Sequence, residues 1–311
     1  IMERLVGSEM CIRDRYSPMK NEKHSLLAFG SLLLGASLIG LAPIFVRFSE
    51  LSPSWILFYR MSLSIPMLLI LNLILNNKHP LKLNSLKSYI FCAIASLAFS
   101  LDLAGWHWSI ELTTISNATV MVNTAPVYVI LFGVIFLNYN FSPKNLLSII
   151  ITYTGVVGLI YFSSKTGISS LIGDLISLVA GILYAVYLII VSRLGNESAL
   201  KIIFYTTVFC AFYAFIFGMI ESNQSWPSNT NEWLNLIMLA ILCQVSGQFF
   251  ITFAMPRINI AASSIGLLMQ PIVATIAGAV LFFEVLTFLQ ICFVIIALIG
   301  IYFARMTITE S

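Results

Sequence analysis

The 311-residue chain is 59% hydrophobic and only 9% charged, with a formal net charge of +3. A soluble globular domain carries roughly 25% charged residues, so this composition excludes a water-facing surface of ordinary size and predicts that lipid surrounds most side chains. The chain has five cysteines, at positions Cys11, Cys92, Cys210, Cys243 and Cys292. Four of them lie in apolar runs without metal-ligand spacing, which indicates small buried side chains rather than disulfides or a metal site.

The first residues, "IMERLVGSEMCIRDRYSP", have no periodicity and do not resemble the sequence that follows. We interpret residues 1–18 as a non-native leader and exclude them from the prediction of the fold. Met19 is the more natural start, because Lys20 and Lys23 then come just before the first apolar run. A cleaved signal peptide is the alternative, but no small-residue cleavage site precedes Met19.

Ten apolar segments follow, each close to the length of about 20 residues that a helix needs to cross a bilayer. We predict membrane spans at 26–46, 54–75, 88–110, 114–137, 145–162, 171–191, 200–220, 233–254, 261–283 and 286–304. The connections are short and rich in turn and polar residues. The breaks near 110–114 and 283–286 are the weakest, because each falls within a long hydrophobic stretch.

Basic residues predict the orientation of these spans, because they concentrate on the cytoplasmic side. With a cytoplasmic N-terminus, the cytoplasmic ends carry Lys20, Lys23, Lys78, Lys82, Lys87, Lys144, Arg193, Lys201, Arg257 and Arg305, and the opposite ends carry Arg47, Arg60 and Lys165. The bias of ten against three predicts that both termini face the cytoplasm. The opposite ends carry Glu50, Glu111, Asp174, Glu221, Glu232 and Glu284.

The chain repeats itself with a shift of about 145 residues. At that shift Pro126 aligns with Pro271, Gly133 with Gly278, and Gly155 with Gly300; at 146 the pair Phe58-Tyr59 aligns with Phe204-Tyr205. We therefore predict two five-helix repeats, at 19–162 and 163–311. An odd number of spans per repeat inserts the two halves in opposite orientations, which is the arrangement of carriers with a central site.

Two long stretches carry a family resemblance. "SNATVMVNTAPVYVILFGVIFLNYNFSPKNLLSIIITYTGVVGLIYF" and "AASSIGLLMQPIVATIAGAVLFFEVLTFLQICFVIIALIGIYFAR" resemble the two EamA repeats of the drug/metabolite transporter superfamily. In both, a start rich in small residues leads to a proline within the helix, a glycine near its end, and a turn containing Ser or Thr. "WHWSIELTTISNATVMVNTAP" is also similar to the third-to-fourth helix region of bacterial members.

The resemblance implies an all-α integral membrane fold of ten transmembrane helices in two inverted repeats. It implies a cavity formed by helices one to four and six to nine, a bacterial inner membrane, and export of small metabolites such as amino acids. One departure is visible. The family often ends the fourth and ninth helices with Gly-Glu, where this chain has Asn138-Tyr139 and Phe283-Glu284.

Ionisable residues within the spans are the first candidates for a site, because they are costly in lipid and usually face protein or water. Asp102 lies near the midplane of the third span, and Arg60 in the second span is its candidate partner. Such a pair binds substrate charge or a proton, or is purely structural. His107 lines the cavity or donates to a backbone carbonyl, while Glu111 is expected at the solvated rim.

Aromatic and amide side chains complete the candidate site. Trp106 is expected on the face of Asp102 as a cavity wall, and Trp108 on another face as an interfacial anchor. Tyr59 and Tyr184 are further candidates for the lining. Gln244 and Gln248 in the eighth span occupy the place of the Asp102 region in the second repeat.

Two prolines mark interrupted helices at matching positions, the best sequence indication of a carrier site. Pro126 is predicted to free the carbonyl of Val122 and Pro271 that of Leu267, since proline lacks the amide donor. Asn123 and Gln270 lie beside these breaks.

The sequence contains no His-Glu-x-x-His, no Gly-x-Ser-x-Gly and no Walker loop, so we predict neither an enzyme nor an ATP-driven pump. No cofactor, metal or nucleic-acid partner is expected. The prediction is a carrier of small organic solutes that works by alternating access. Proton coupling through Asp102 or His107, a passive facilitator, and a non-transporting scaffold or receptor remain open alternatives.

Overall fold

The computed structural model describes residues 22–75, 82–137, 141–165, 169–194, 197–221, 226–258 and 260–308. The predicted leader, Lys20, Lys78 and the Asn138-Tyr139 pair lie outside these residues. Ten helices are long and apolar enough to cross a membrane: Leu26–Phe48, Pro53–Ile74, Leu86–Leu112, Ile115–Phe136, Pro143–Ser163, Leu171–Ser192, Ala199–Glu221, Thr230–Ala254, Ser263–Leu281 and Phe288–Thr307. They confirm the ten predicted spans and are called the first to tenth spans below.

Six spans are single α-helices and four are interrupted. The second, third, fifth, sixth, seventh and tenth spans are the helices Pro53–Leu75, Leu86–Leu112, Pro143–Lys165, Leu171–Ser192, Ala199–Glu221 and Phe288–Ile308. The first, fourth and ninth spans are the helix pairs Glu22–Gly40 and Ala42–Phe48, Ile115–Val122 and Ala125–Leu137, and Ile260–Leu267 and Met269–Leu281. The eighth consists of Thr230–Met238, a π-helix Leu239–Gly247, Gln248–Ala254 and a short 3₁₀ turn Met255–Arg257.

The interruptions follow from proline chemistry. Pro271 lies at the third position of the helix that follows its break and Pro126 at the second, where the missing amide costs little. Pro43 occupies the same position after a third break, in the first span. The π-helix in the eighth span was not predicted, and such widened turns often occur at functional sites.

The packing of the spans has the symmetry of the repeat. The fifth span packs against the tenth, the second against the seventh, and the fourth against the ninth. The third packs against the sixth, and its repeat counterpart, the eighth, packs against the first. Each half contributes five spans, so the two repeats have opposite orientations. The fold is therefore two inverted five-helix repeats, as predicted.

The carboxylates that end the spans on one side define what we call the acidic end, which contains Glu50, Glu111, Asp174, Glu221, Glu232 and Glu284. The other side is the basic end, with Lys82, Lys87, Lys144, Arg193, Lys201 and Arg257.

Glycine sets the closest approach of the fifth and tenth spans. A Cβ atom at Gly155 would clash with the backbone of Ala297, and one at Gly300 would clash with the backbone of Thr152. These two glycines occupy equivalent positions of the repeat, and they allow the backbones of the fifth and tenth spans to come into contact.

We expect Gly155→Leu to lower the free energy of unfolding by about 1–3 kcal/mol, because an overpacked seam forces the two helices apart. The measurement is thermal or denaturant unfolding in detergent. Gly30→Leu is the matched control, since a Cβ at Gly30 would meet nothing within 4 Å. Equal stability of the two variants would contradict a tight fifth–tenth seam.

The ninth span ends in a strained residue. Phe283 has a φ of 53°, in the left-handed region where a side chain costs about 1–2 kcal/mol, and its side chain is 82% exposed. The family resemblance places a glycine at this position. Glycine would adopt the same backbone without that cost.

We therefore predict that Phe283→Gly is more stable than Phe283→Ala by about 1 kcal/mol. Both variants remove the same exposed ring, so their difference in unfolding free energy isolates the backbone term. If the two variants unfold alike, the turn relaxes when the ring is removed and carries no strain.

Candidate functional site

A buried arginine joins the two repeats near the middle of the molecule. Arg60 is only 3% exposed. Its Nε donates to Oε1 of Gln244 in the eighth span at 3.1 Å, and its Nη1 lies 3.5 Å from Nε2 of His107 in the third span. The predicted candidates Arg60, His107 and Gln244 therefore form one cluster, and the π-helix holds the amide that meets the guanidinium.

The second nitrogen of His107 fixes the state of its ring. Nδ1 lies 3.2 Å from the carbonyl oxygen of Pro53, and a carbonyl only accepts, so the proton is assigned to Nδ1. The Nε2 lone pair then faces the Arg60 guanidinium. His107 is fully buried, and both of its nitrogens are engaged within the protein.

Asp102 lies near this cluster without direct pairing to Arg60. The carboxyl group is 2% exposed, and its Oδ1 has no hydrogen-bond partner among the described residues. Asp102 and Arg60 interact electrostatically, but they form no direct ion pair in the described part of the chain. An unsatisfied carboxyl oxygen inside a membrane protein is costly, so it marks a candidate for ligand or proton binding.

Aromatic side chains are also among the candidates. Trp106, one helical turn from Asp102, is buried, and its Nε1 has no partner among the described residues. Tyr184 of the sixth span stacks on Tyr187 at 5.9 Å between ring centroids and interacts electrostatically with Asp102. Tyr59 is buried and lies edge-on to Trp233 at 5.4 Å between ring centroids.

Three further predicted positions have other surroundings. The side chains of Gln248 and Gln270 are half-buried and form no hydrogen bond among the described residues. At Gln270 the backbone lies against the first span, where a Cβ on Gly40 would be 2.7 Å from the Gln270 carbonyl oxygen. Trp108 lies on another face from Trp106, where its Nε1 donates to Glu221 at 2.8 Å.

The break in the fourth span holds a residue that sequence reasoning missed. Asn123 donates from Nδ2 to the carbonyl of Thr119 at 2.9 Å, and its Oδ1 accepts from Arg305 Nη2 at 3.4 Å. The position of Arg305 in the sequence indicates only a basic residue at the cytoplasmic end of the tenth span. Its distance from the break along the chain gave no sign that it reaches Asn123.

The fourth and ninth spans are joined at the acidic end. Ser116 and Thr275 hydroxyls lie 3.1 Å apart, and the Glu284 carboxylate accepts from the Ile115 amide at 2.9 and 3.1 Å. Arg47 pairs with Glu284 at 3.4 Å. We call Glu284, Arg47 and the Ile115 amide the latch.

Beyond their breaks the fourth and ninth spans have different neighbours. Ala125–Leu137 packs against the sixth and tenth spans, and Ile260–Leu267 packs against the first and tenth. The contacts that join the fourth and ninth spans directly therefore concentrate at the acidic end.

Burial raises the pKa of the Glu284 carboxyl above its usual value, while the Ile115 amide and Arg47 act to lower it. Because the folded-state pKa is the higher one, the folded protein binds a proton more readily than the unfolded chain. Stability therefore rises as the pH falls through the folded-state pKa, and the cost of the ionised form is fully present above it.

From this sign we predict that Glu284→Gln matches or exceeds the wild type in unfolding free energy at neutral pH, because the amide oxygen still caps Ile115 without a buried charge. Glu284→Ala should lose about 1 kcal/mol with the cap. Acidification should stabilise the wild type relative to Glu284→Gln. If Glu284→Gln is as unstable as Glu284→Ala, the ion pair with Arg47 dominates the latch instead.

The described residues contain no group of three His, Cys, Asp or Glu side chains that could hold a metal ion.

The sequence and fold of this chain are similar to those of known proteins. A model of the EamA-like transporter family matches residues 26–161 and again residues 171–306. Two proteins of Archaeoglobus fulgidus, each named an uncharacterized transporter, are similar to the chain. One is 29% identical over 243 residues, covering 73% of this chain and 78% of that protein. The other is 24% identical over 192 residues, covering 60% and 66%.

A crystal structure of a protein that is 14% identical superposes on 92% of this chain and 98% of that chain, with a TM-score of 0.64. At this identity the likeness concerns the fold alone.

Proposed function

The chain belongs to the EamA-like transporter family, and we propose that it carries a small polar organic solute across the membrane by alternating access. The proposal takes residues 19–162 and 163–311 as the two repeats, with the solute site at their contact. The solute class remains the one that the resemblance implies, a small metabolite such as an amino acid.

One observation carries the proposal: a buried guanidinium and an incompletely paired carboxyl lie where the two repeats meet. Arg60 belongs to the first repeat and its partner Gln244 to the second. Asp102 keeps a buried oxygen without a partner among the described residues. A scaffold or receptor gains nothing from unsatisfied charge inside the membrane, whereas a carrier uses it to bind a polar solute.

The arrangement of the broken spans bears on which side of the site is closed. The latch joins the fourth and ninth spans at the acidic end, so a solute path between them would lead to the basic end. The positive-inside rule assigns the basic end to the cytoplasm, with both termini there. Any alternating-access carrier passes through such a state, so export across a bacterial inner membrane is proposed from the family resemblance.

Asp102 is the better candidate for proton coupling. His107 has one nitrogen bonded to a carbonyl and the other directed at a guanidinium, so neither is available to a solute. Asp102 has a free oxygen near the aromatic rings. A facilitator without proton coupling is the second candidate, and the contacts of Asp102 are compatible with both.

We predict that Asp102→Asn abolishes the dependence of solute flux on a pH gradient, because the amide keeps the shape of the carboxyl but binds no proton. The assay uses proteoliposomes that contain a pH-sensitive dye and a mixture of labelled amino acids and short carboxylic acids. Wild-type flux should rise with the gradient, and the variant should show the same slow flux with and without it.

Glu111→Gln is the matched control for this test. Glu111 is an exposed carboxylate on the same helix, so its neutralisation should leave the gradient dependence intact. Wild-type flux that ignores the gradient would establish the facilitator. A purified wild type that moves no member of the mixture, and none of the metabolites that accumulate in cells lacking the protein, would contradict the carrier.

A further inference from the structure

Arg305, near the cytoplasmic end of the tenth span, has no counter-charge among the described residues. Its Nη1 is shielded from solvent and has no hydrogen-bond partner among the described residues. Its Nη2 forms one long bond, 3.4 Å to Asn123. No carboxylate among the described residues forms an ion pair with Arg305.

Asp102 does not fill that role, because its charge is shared with Arg60. The side chain of Asp102 interacts electrostatically with Arg60, and Arg60 in turn bonds to Gln244. Asp102 and Arg305 both act on the hydroxyl of Tyr184, which places all three around one region. With Asp102 and Arg60 balancing each other, that region keeps one uncompensated positive charge.

A second unused donor lies one helical turn from Asn123, the residue that Arg305 contacts. The buried hydroxyl Oγ1 of Thr119 has no partner among the described residues, and Thr119 is one turn before the break at Asn123. The acceptor of the Asn123 amide, Oδ1, is bonded to Arg305 Nη2 and forms no hydrogen bond with this hydroxyl among the described residues. Two buried donors, Arg305 Nη1 and Thr119 Oγ1, therefore await an acceptor.

The broken helix adds to the positive potential. Ala125–Leu137 begins at this break, and the N-terminus of a helix carries a partial positive charge that favours anions. The guanidinium, the hydroxyl and the start of the helix thus all favour the same kind of ligand atom. Each is stabilised by a negatively charged oxygen, and a carboxylate offers two oxygens for the two donors.

We propose that the transported solute carries a carboxylate, and that Arg305 and Thr119 at the break of the fourth span bind it. This inference rests on the proposed carrier function and names the chemical class of its solute. Asp102 and the rings of Trp106 and Tyr184 would contact the rest of the solute, on the other side of the same region.

Paired probes test the proposal: L-phenylalanine with L-phenylalaninamide, and lactate with lactamide. In proteoliposomes the wild type should take up a carboxylate probe at least about tenfold faster than its amide, since hydrogen bonds to a charged group are the strong ones. Arg305→Gln should lose that preference by a similar factor, and Arg305→Lys should keep part of it because the charge remains.

Arg257→Gln is the matched control, because Arg257 is an exposed arginine at the same end that donates to the Phe253 carbonyl of its own span. Its variant should transport like the wild type. Uptake of carboxylates by Arg305→Gln at the wild-type rate would overturn the inference, as would a wild-type preference for the amides. In both cases the carrier function would stand, whereas a wild type that moves neither probe class nor any other solute would remove the function itself.

Thermal unfolding in detergent gives a readout that does not need transport. A carboxylate probe should raise the melting temperature of the wild type, because a ligand that binds only the folded state stabilises it. The same probe should leave Arg305→Gln unchanged, while Arg305→Gln without any probe should melt no lower than the wild type, since it removes an unpaired charge. A lower melting temperature with no probe would show that Arg305 has a structural partner and would overturn the proposal.

Discussion

A charged group inside a membrane protein is costly unless the protein or a ligand pairs with it, and the contacts of Arg60 follow from that constraint. Arg60 is almost completely buried, and the eighth span supplies Gln244 to its Nε. The third span supplies His107, whose own orientation depends on the Pro53 carbonyl. Removing any one of these side chains leaves another without its hydrogen-bond partner. One guanidinium therefore holds together three spans that come from both repeats.

The broken spans obey the same constraint. Where the fourth span is interrupted, the carbonyl of Met121 accepts from the Thr124 amide and from the Thr124 hydroxyl. Gly181 lets the sixth span approach this break, since a Cβ there would lie 3.1 Å from the carbonyl oxygens of Met121 and Val122. Gly40 does the same for the break in the ninth span. Small residues of one span therefore shield the exposed backbone of another, which lets a non-helical turn persist at membrane depth.

Much of this architecture is local in origin and could be predicted. A span is a run of apolar residues, an interruption is a proline, and the repeat appears as prolines and glycines at one shift. The ten spans agree with their predicted bounds to within three residues, the largest differences being at the start of the eighth and the end of the tenth.

The contacts of the site depend instead on packing between distant spans. Nothing near Arg305 in sequence indicates that it reaches Asn123. The π-helix around Gln244 has no signature in its run of apolar residues, and the contact of Gln244 with the Arg60 guanidinium joins two distant spans. The preference of His107 for the Pro53 carbonyl likewise needs two spans to be placed.

The two repeats share a fold but not a charge pattern. A shift of 146 takes Arg60 to Thr206, whose hydroxyl bonds to the Ile202 carbonyl of its own helix at 2.8 Å, and takes Asp102 to the neutral Gln248. A shift of 145 in the other direction takes Arg305 to Ile160. Apolar packing is therefore duplicated, while the ionisable groups occur once each.

This asymmetry suits a carrier. Symmetric packing gives the two end states similar packing energies, because each repeat can adopt the conformation of the other. In the proposed alternating-access cycle, a site built from single copies would keep the same Arg60, Asp102 and Arg305 for the solute in both states. The states would then differ at the latch, whose Arg47 and Glu284 hold only the acidic end. That local ion pair and cap would bias the equilibrium between the states and leave the chemistry of the site unchanged.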